Sequence, residues 1–567
     1  MKRLAMLLCI ALTCAGIGRA AYRVAVPPQS SLSRFIPAGP LLYLEAKDFS
    51  SLLRDWNSSP QKKQWVQSDS YEVFSRSRLF LRLKGAGDQF AAAAGLPPDM
   101  DFLSEVSGEH SVLAVYDIGK MQFLYVTYLP SAKSMQSKLW QARAKFEPRS
   151  AGETDFYVRR DPESQREVAF AVAGDYLLLA TREDLVAGAL QLISGKQDRT
   201  VESGRWWTQA MEGAGQAGDL RLVLDLQTLV PNGYFRTYWV QQNITDLSQY
   251  SASISDLFRT AKEYREERVL IRKNEREHAP SAEALAAAAD LSRLVPDDAG
   301  VYASTAAPTA DSCIVLLETK ILAPHLGPAP ISHYSPQVQL TSGEQGASSD
   351  LETRIDVAPA ASSPGLAIPA LKRLLGKTSL LASLQVQSSQ RDTAGVFVRI
   401  HSAVALTAAS DWNESEVDSA ITEFVRPGMT ASELGVGWLQ KSGYQQLDGL
   451  WPLTVAVHGK VFAVSDDPTL LESLLANFNR KSDRKPLEFI AGFNHDHERD
   501  NFVRFMGLVD RTNGNITNAG RIGREPQFFS GNMASLSATL AGVSAERIEM
   551  RSEGSKVRQS VSYQWSQ

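Results

Sequence analysis

Cysteine is nearly absent. The chain has three in 567 residues, and Cys9 and Cys14 fall in an N-terminal segment expected to be removed, which leaves Cys313 alone. No intramolecular disulfide is then possible, and stability has to come from a sizeable hydrophobic core. Long apolar runs are missing too. The exception, residues 4–18, follows Lys2 and Arg3, is shorter than the roughly 20 residues that span a bilayer, and ends at the small residues Gly18 and Ala20. That layout is a secretory signal peptide cut after Ala20, with an uncleaved anchor as the alternative. Thr13 before Cys14 is too large for a lipoprotein cleavage position, so no lipid anchor is expected. The chain also lacks a basic patch: losing Lys2, Arg3 and Arg19 takes the formal charge from −4 to −7, which argues against nucleic acid. We therefore expect a periplasmic or secreted protein with no transmembrane segment after cleavage.

Catalytic signatures are missing as well. There is no Gly-x-Ser-x-Gly elbow, no His-Glu-x-x-His and no cysteine–histidine pair. "RLLGKTSL" (373–380) contains Gly-Lys-Thr, but Leu371 stands where a phosphate loop needs its first glycine, and a helix ending at Gly376 precedes it. Nucleotide binding is rejected on that ground. Cys313, in "DSCIVLLET", reads as a buried thiol on an apolar strand. His401 and His458 read as isolated strand histidines.

What is present is repetition. "AVAGDYLLLATREDLVAGAL" (171–190) and "AVHGKVFAVSDDPTLLESLL" (456–475) share one grammar: apolar run, turn glycine, apolar run, acidic cap, then helical leucines. The offset between Gly174 and Gly459 is 285 residues. "QFLYVTYLPSAKSMQSKLWQA" (122–142) is answered by "SAVALTAASDWNESEVDSAIT" (402–422), and "DLRLVLDL" at Asp219 by "FVRFMGLV" at Phe502. Each unit reads as a two-residue hairpin followed by a capped helix. Thr181 with Asp184 is the expected cap in the first copy. Asp466 or Asp467 with Pro468 serves in the second, and Leu185, Ala189, Leu470 and Leu474 should face the sheet.

The expected class is α+β: an internally duplicated chain with mainly antiparallel sheets and hairpin-helix units packed on one face. The boundaries are a signal peptide at 1–20, a linker at 21–33, a first half at 34–275, a connecting helix at 276–291 and a second half at 292–567. The second half carries a loop at 325–364 rich in Pro, Ser and Gly and ends in a meander. The opening "PAGPLLYLEAKDFSSLLRDWNSSPQKKQW", the "SGEHSVLAVYD" strand and the duplicated units resemble a family of exported bacterial proteins catalogued only as a domain of unknown function. That resemblance implies export and a two-part build, and brings no catalytic or binding residues with it.

Two places hold candidate chemistry. In "FNHDHERD", His495, Asp496, His497, Glu498 and Asp500 crowd together. On a strand the two rings would point to one side as metal ligands, which gives a metal-dependent hydrolase as the alternative function, whereas their polar neighbours read as a solvated loop. In "PNGYFRTYWVQQN", Tyr234, Phe235, Tyr238 and Trp239 would line a helix beside Arg236, where the second half offers a polar, glycine-rich segment. Such a stripe suits an envelope protein, a glycan or a membrane surface, or packs internally with Trp206 and Trp207. We expect a non-enzymatic extracytoplasmic scaffold or binding protein, with this stripe as its partner-binding surface and neither metal nor cofactor. A chaperone-like or inhibitory envelope factor has the same composition.

Overall fold

The computed structural model describes residues 31–67, 69–238, 247–260, 262–274, 279–322, 368–391, 398–425, 436–449, 451–480, 484–498, 501 and 543–565. The 325–364 loop, "FVRFMGLV", Trp239, Asp500 and the first strand of the expected C-terminal meander lie outside them. The strands are β1 Leu42–Ala46, β2 Ser111–Asp117, β3 Gln122–Tyr128, β4 Glu147–Ala151, β5 Thr154–Arg160, β6 Glu167–Ala173, β7 Tyr176–Ala180, β8 Leu220–Asp225, β9 Tyr250–Arg259, β10 Glu263–Arg272, β11 Val301–Ala306, β12 Leu380–Arg391, β13 Val398–Ala408, β14 Trp438–Gln440, β15 Gln445–Leu447, β16 Thr454–His458, β17 Val461–Ser465, β18 Phe489–Asn494, β19 Val543–Glu553 and β20 Lys556–Trp565. With helices between them and antiparallel pairing in every ladder described below, the fold is α+β.

The hairpins form where glycine permits them. Gly174 has φ +56° and Gly459 φ +55°, each at the first of two turn residues, the left-handed region where a side chain is disfavoured. They join β6 to β7 and β16 to β17. Helix Pro468–Ala476 then starts as expected: Leu470 N–H donates to Asp467 Oδ2 at 2.9 Å, with Pro468 in the first turn. Helix Glu183–Ile193 starts differently. Thr181 does not cap it, because the Thr181 hydroxyl accepts from Phe123 N–H at 2.9 Å. A carboxylate from β6 takes over, Glu167 Oε1 accepting from Glu183 N–H at 2.9 Å. Gly376, expected to end its helix, lies inside the last turn of helix Ile368–Lys377.

The chain divides into two compact units, one of Met1–Ala279, Ala394–Val398 and Ala491–Gln567, the other of Pro280–Thr393 and Arg399–Ile490. In the first, the pairings run β4-β5-β6-β7-β3-β2-β1-β8-β9-β10-β20-β19. In the second, β11 pairs β12, and β13-β17-β16-β15-β14 form a continuous ladder. The division departs from the linear boundary expected at 276–292. The C-terminal hairpin β19-β20 belongs to the first unit through its pairing with β10, and helix Ala282–Leu291 packs inside the second.

Among the described elements, helices lie against both faces of the strands in each unit. In the first unit Leu178 packs with Leu185, Val186 and Ala189 on one face. Its neighbours Leu177 and Leu179 pack with Phe90, Ala93 and Phe102 on the other. In the second, Phe462 and Val464 meet Val417 and Ile421, while Ala463 meets Leu471 and Leu474. Strands apolar at successive positions, such as "YLLLA" and "VFAVS", can be satisfied only by cover on both sides.

A line of charges runs through the first unit. Glu45 on β1 is opposite Arg221 on β8, which is opposite Asp256 on β9. The Arg221 guanidinium forks onto Asp256 at 2.8 and 2.9 Å and donates to the Gly215 carbonyl at 3.0 Å. Gly218 N–H donates to Asp256 Oδ1 at 3.0 Å, and His110 Nε2 lies 2.6 Å from Glu45 Oε1. Arg221 and Asp256 are buried. Asp256→Ala should therefore cost about 3–5 kcal/mol, because it strands the buried guanidinium. A urea melt checks this, and a loss below about 1 kcal/mol would show that the pair is dispensable.

Candidate functional site

Asn232 starts the aromatic helix Gly233–Tyr238, its Oδ1 accepting from Tyr234 N–H at 3.0 Å and Phe235 N–H at 3.4 Å. Consecutive helical residues diverge by about 100°, and the two rings go different ways. Phe235 packs inward against Leu226, Leu229, Val230, Tyr250 and Leu270. Tyr234 is 49% exposed, and its ring carries the Arg82 guanidinium 5.4 Å from the centroid. Arg82 is fixed there by a hydrogen bond from Nη2 to the Gly119 carbonyl, and a Cβ at Gly119 would require the Tyr234 ring to shift. The side chain of Tyr238 lies outside the described residues, as does Trp239. Trp206 and Trp207 do not share the Phe235 cluster. Trp207 is buried edge-on to Tyr43, ring centroids 4.7 Å apart, in the core under helix Glu183–Ile193, with Trp206 packed beside it.

The histidines do not converge. Residues 495–498 take a helical turn rather than a strand or loop, so His495 and His497 no longer share a side. His495 stands edge-on to Phe493 at 4.5 Å with Nε2 3.8 Å from Glu546 Oε2, whereas His497 Nδ1 is 2.8 Å from Glu498 Oε1. Among the described residues no three His, Cys, Asp or Glu side chains come together to hold a metal ion. Burial, with Glu546 and Glu266 nearby, pushes the Tyr563 hydroxyl up to about 12. Cys313 sits on helix Ala310–Leu317, not on a strand, and burial pushes its thiol up to about 11. A thiol in that state is a poor nucleophile. His458 Nε2 is 3.1 Å from the Gly443 carbonyl oxygen. His401, on β13, has Nδ1 3.8 Å from Asp466 Oδ1, and the Asp466 carboxylate holds the imidazole above its ordinary 6.5.

A concave surface that sequence reading did not find lies in the first unit. It is a cleft of about 620 Å³ whose lining includes Pro37, Tyr116, Arg182, Asp184, Gln191 and Gln197. Arg182 Nε donates to Asp184 Oδ1 at 2.8 Å and Nη1 to Gln122 Oε1 at 3.2 Å. The Tyr116 hydroxyl donates to the Pro37 carbonyl at 2.7 Å, and burial, then Asp184, holds its pKa well above the usual phenol value. These residues come from separate stretches of chain, and the one local signal is Asp184, which the sequence pairs with Thr181 as a helix cap.

No protein-family model matches the chain, and no curated protein does. Among solved structures it is similar to crystal forms I, III and IV of TP0453, at 12%, 13% and 11% identity and TM-scores of 0.24, 0.22 and 0.22. The matches cover 45%, 45% and 42% of this chain and 83%, 84% and 79% of that one. No helix among the described residues is long and apolar enough to cross a membrane.

Two outcomes follow from this geometry. Phe235→Ala should lose roughly 3–5 kcal/mol of stability, while Tyr234→Ala stays within about 1 kcal/mol; equal losses in a denaturant melt would put both rings in the core. His401 has a folded pKa raised above its unfolded one, so its pairing with Asp466 stabilises fully below about pH 6.5 and fades as pH rises through the folded value. His401→Gln should flatten that slope in melts taken from pH 5 to 9, and an unchanged slope would assign the dependence elsewhere.

Proposed function

We propose that the protein is a non-enzymatic extracytoplasmic binding or scaffold protein, built by duplication of one α+β unit and presenting its ligand surface on the first copy. The observation that carries the reading is the commitment of its chemical groups. His110 faces Glu45, His401 faces Asp466, His497 faces Glu498 and Cys313 is buried, and among the described residues no third His, Cys, Asp or Glu joins any of these pairs to hold a metal ion. The 37–39/182–197 cleft and the Arg82–Tyr234 surface stand open instead. Binding needs concavity and a few oriented polar groups, and the cleft has both. Duplication draws support from the parallel between the hairpin-helix units: β7 pairs back onto β3 and β17 onto β13, each being the second strand of a glycine-turned hairpin that leads into a helix. Export draws on the N-terminal sequence alone.

The test has two arms. Cell fractionation with N-terminal sequencing should find a chain starting at Ala21 outside the cytoplasm, and full-length chain in the cytosol would overturn export. A photo-crosslinker placed at Gln197 or at Tyr234 in living cells should form a discrete adduct from at least one position. Silence at both, together with stoichiometric zinc or manganese lost in His495→Ala and His497→Ala, would favour the metal-dependent hydrolase.

A further inference from the structure

The first unit is finished by residues almost three hundred positions away from it in sequence. β10 pairs with β20 over nine consecutive positions, from Glu263↔Gln564 to Ile271↔Lys556. The ladder continues past both ends, Trp565 N–H donating to the Lys262 carbonyl at 3.0 Å and Arg272 N–H to the Ser555 carbonyl at 2.8 Å. Val557 is fully buried among Leu226, Leu229 and Leu270, with Met550 of β19 against the same cluster. Two cations of β20 reach a helix on the other side. Lys556 Nζ donates to the Glu212 carbonyl at 3.2 Å and Arg558 Nη1 to the Gly213 carbonyl at 3.1 Å, the last carbonyls of helix Arg205–Gly213. Positive charge at a helix C-terminus satisfies orphan acceptors and opposes the negative end of the macrodipole.

We propose that the β10 edge, together with the C-terminal end of helix Arg205–Gly213, is a strand-acceptor site whose occupant is the chain's own C-terminal hairpin, held there without needing its covalent link. The chemistry that recognises the occupant is specific. It must extend antiparallel to β10, place a β-branched aliphatic side chain at the 557 position, and carry cations at 556 and 558, which straddle that residue on the opposite face of the strand. A strand that supplies both a ladder and a helix cap is bound as a ligand is bound, by main-chain hydrogen bonds for affinity and by side chains for register.

The experiment cuts the folded full chain at a protease site inserted at residue 525. The expected result is that the C-terminal fragment co-elutes with the remainder in native gel filtration. A labelled synthetic peptide of residues 541–567, added in excess in mild urea, should replace it and restore hydrogen-exchange protection of the β10 amides. Lys556→Glu with Arg558→Glu should release the fragment at least tenfold faster, and Lys556→Gln with Arg558→Gln serves if the first pair does not fold. A fragment that separates on cutting, or one that stays bound while the β10 amides exchange freely, would overturn the proposal.

Discussion

The Arg221–Asp256 fork, with Glu45 and His110 beyond it, constrains the first unit more tightly than any apolar contact. An apolar side chain tolerates a shift along its strand because a neighbouring position is often apolar too. A buried guanidinium does not. Slipping β8 by one residue against β9 would turn Arg221 to the opposite face and leave both charges buried and unpaired, at several kcal/mol. Since Arg221 is also opposite Glu45, the same line fixes β1, and through β1 the register of β2 and β3. The rings then follow: Tyr43, two residues before Glu45 and so on its face, meets Trp207, which seats helix Arg205–Gly213 on the sheet.

That helix connects the centre of the sheet to its far edge. Its N-terminal half is positioned by Trp207, and its last carbonyls are taken by Lys556 and Arg558. The two ends answer to different parts of the chain. Register at β1–β8–β9 is set by charges within the first 260 residues, whereas the outer edge at β10 waits for the last 25. Loop-closure entropy grows only as the logarithm of separation, so a ladder this distant in sequence is thermodynamically accessible. It is expected to be a late event kinetically, because contacts between distant residues form after local ones.

Legibility in the sequence followed locality. The Gly174 and Gly459 hairpins, the Asp467 cap and the buried faces of Leu185, Ala189, Leu470 and Leu474 depend on residues within a few positions of one another, and all were readable. Thr181 was misread because its hydroxyl has a competing local-looking role that is in fact satisfied across the sheet by Phe123. Cys313 was misread because "CIVLL" is too short to separate a helical period from a strand; the deciding signal was Thr309, whose hydroxyl accepts from Ser312 N–H at 3.1 Å and caps the helix. The placement of β19-β20, the charge line and the cleft were illegible for one reason. Each is made by segments far apart in sequence, and nothing in their composition names the partner.

The aromatic pair shows how a site read from spacing divides once the backbone is known. Within the described helix Gly233–Tyr238, Tyr234 and Phe235 are adjacent, and they diverge by about 100° around its axis. Adjacent rings cannot share a face, so one completes the cluster with Leu226 and Leu270 and the other is left outward. The outward ring is held by an arginine that is itself tied to a backbone carbonyl, and it lies so close to Gly119 that a Cβ there would require the ring to move. Fixing an exposed tyrosine in this way removes rotamer entropy that a partner would otherwise have to overcome on binding. The same economy marks the cleft, where Arg182 is set by Asp184 and Gln122 and Tyr116 by Pro37. In both places the polar groups are set by the chain itself before any partner arrives, which lowers the conformational cost of recognition there.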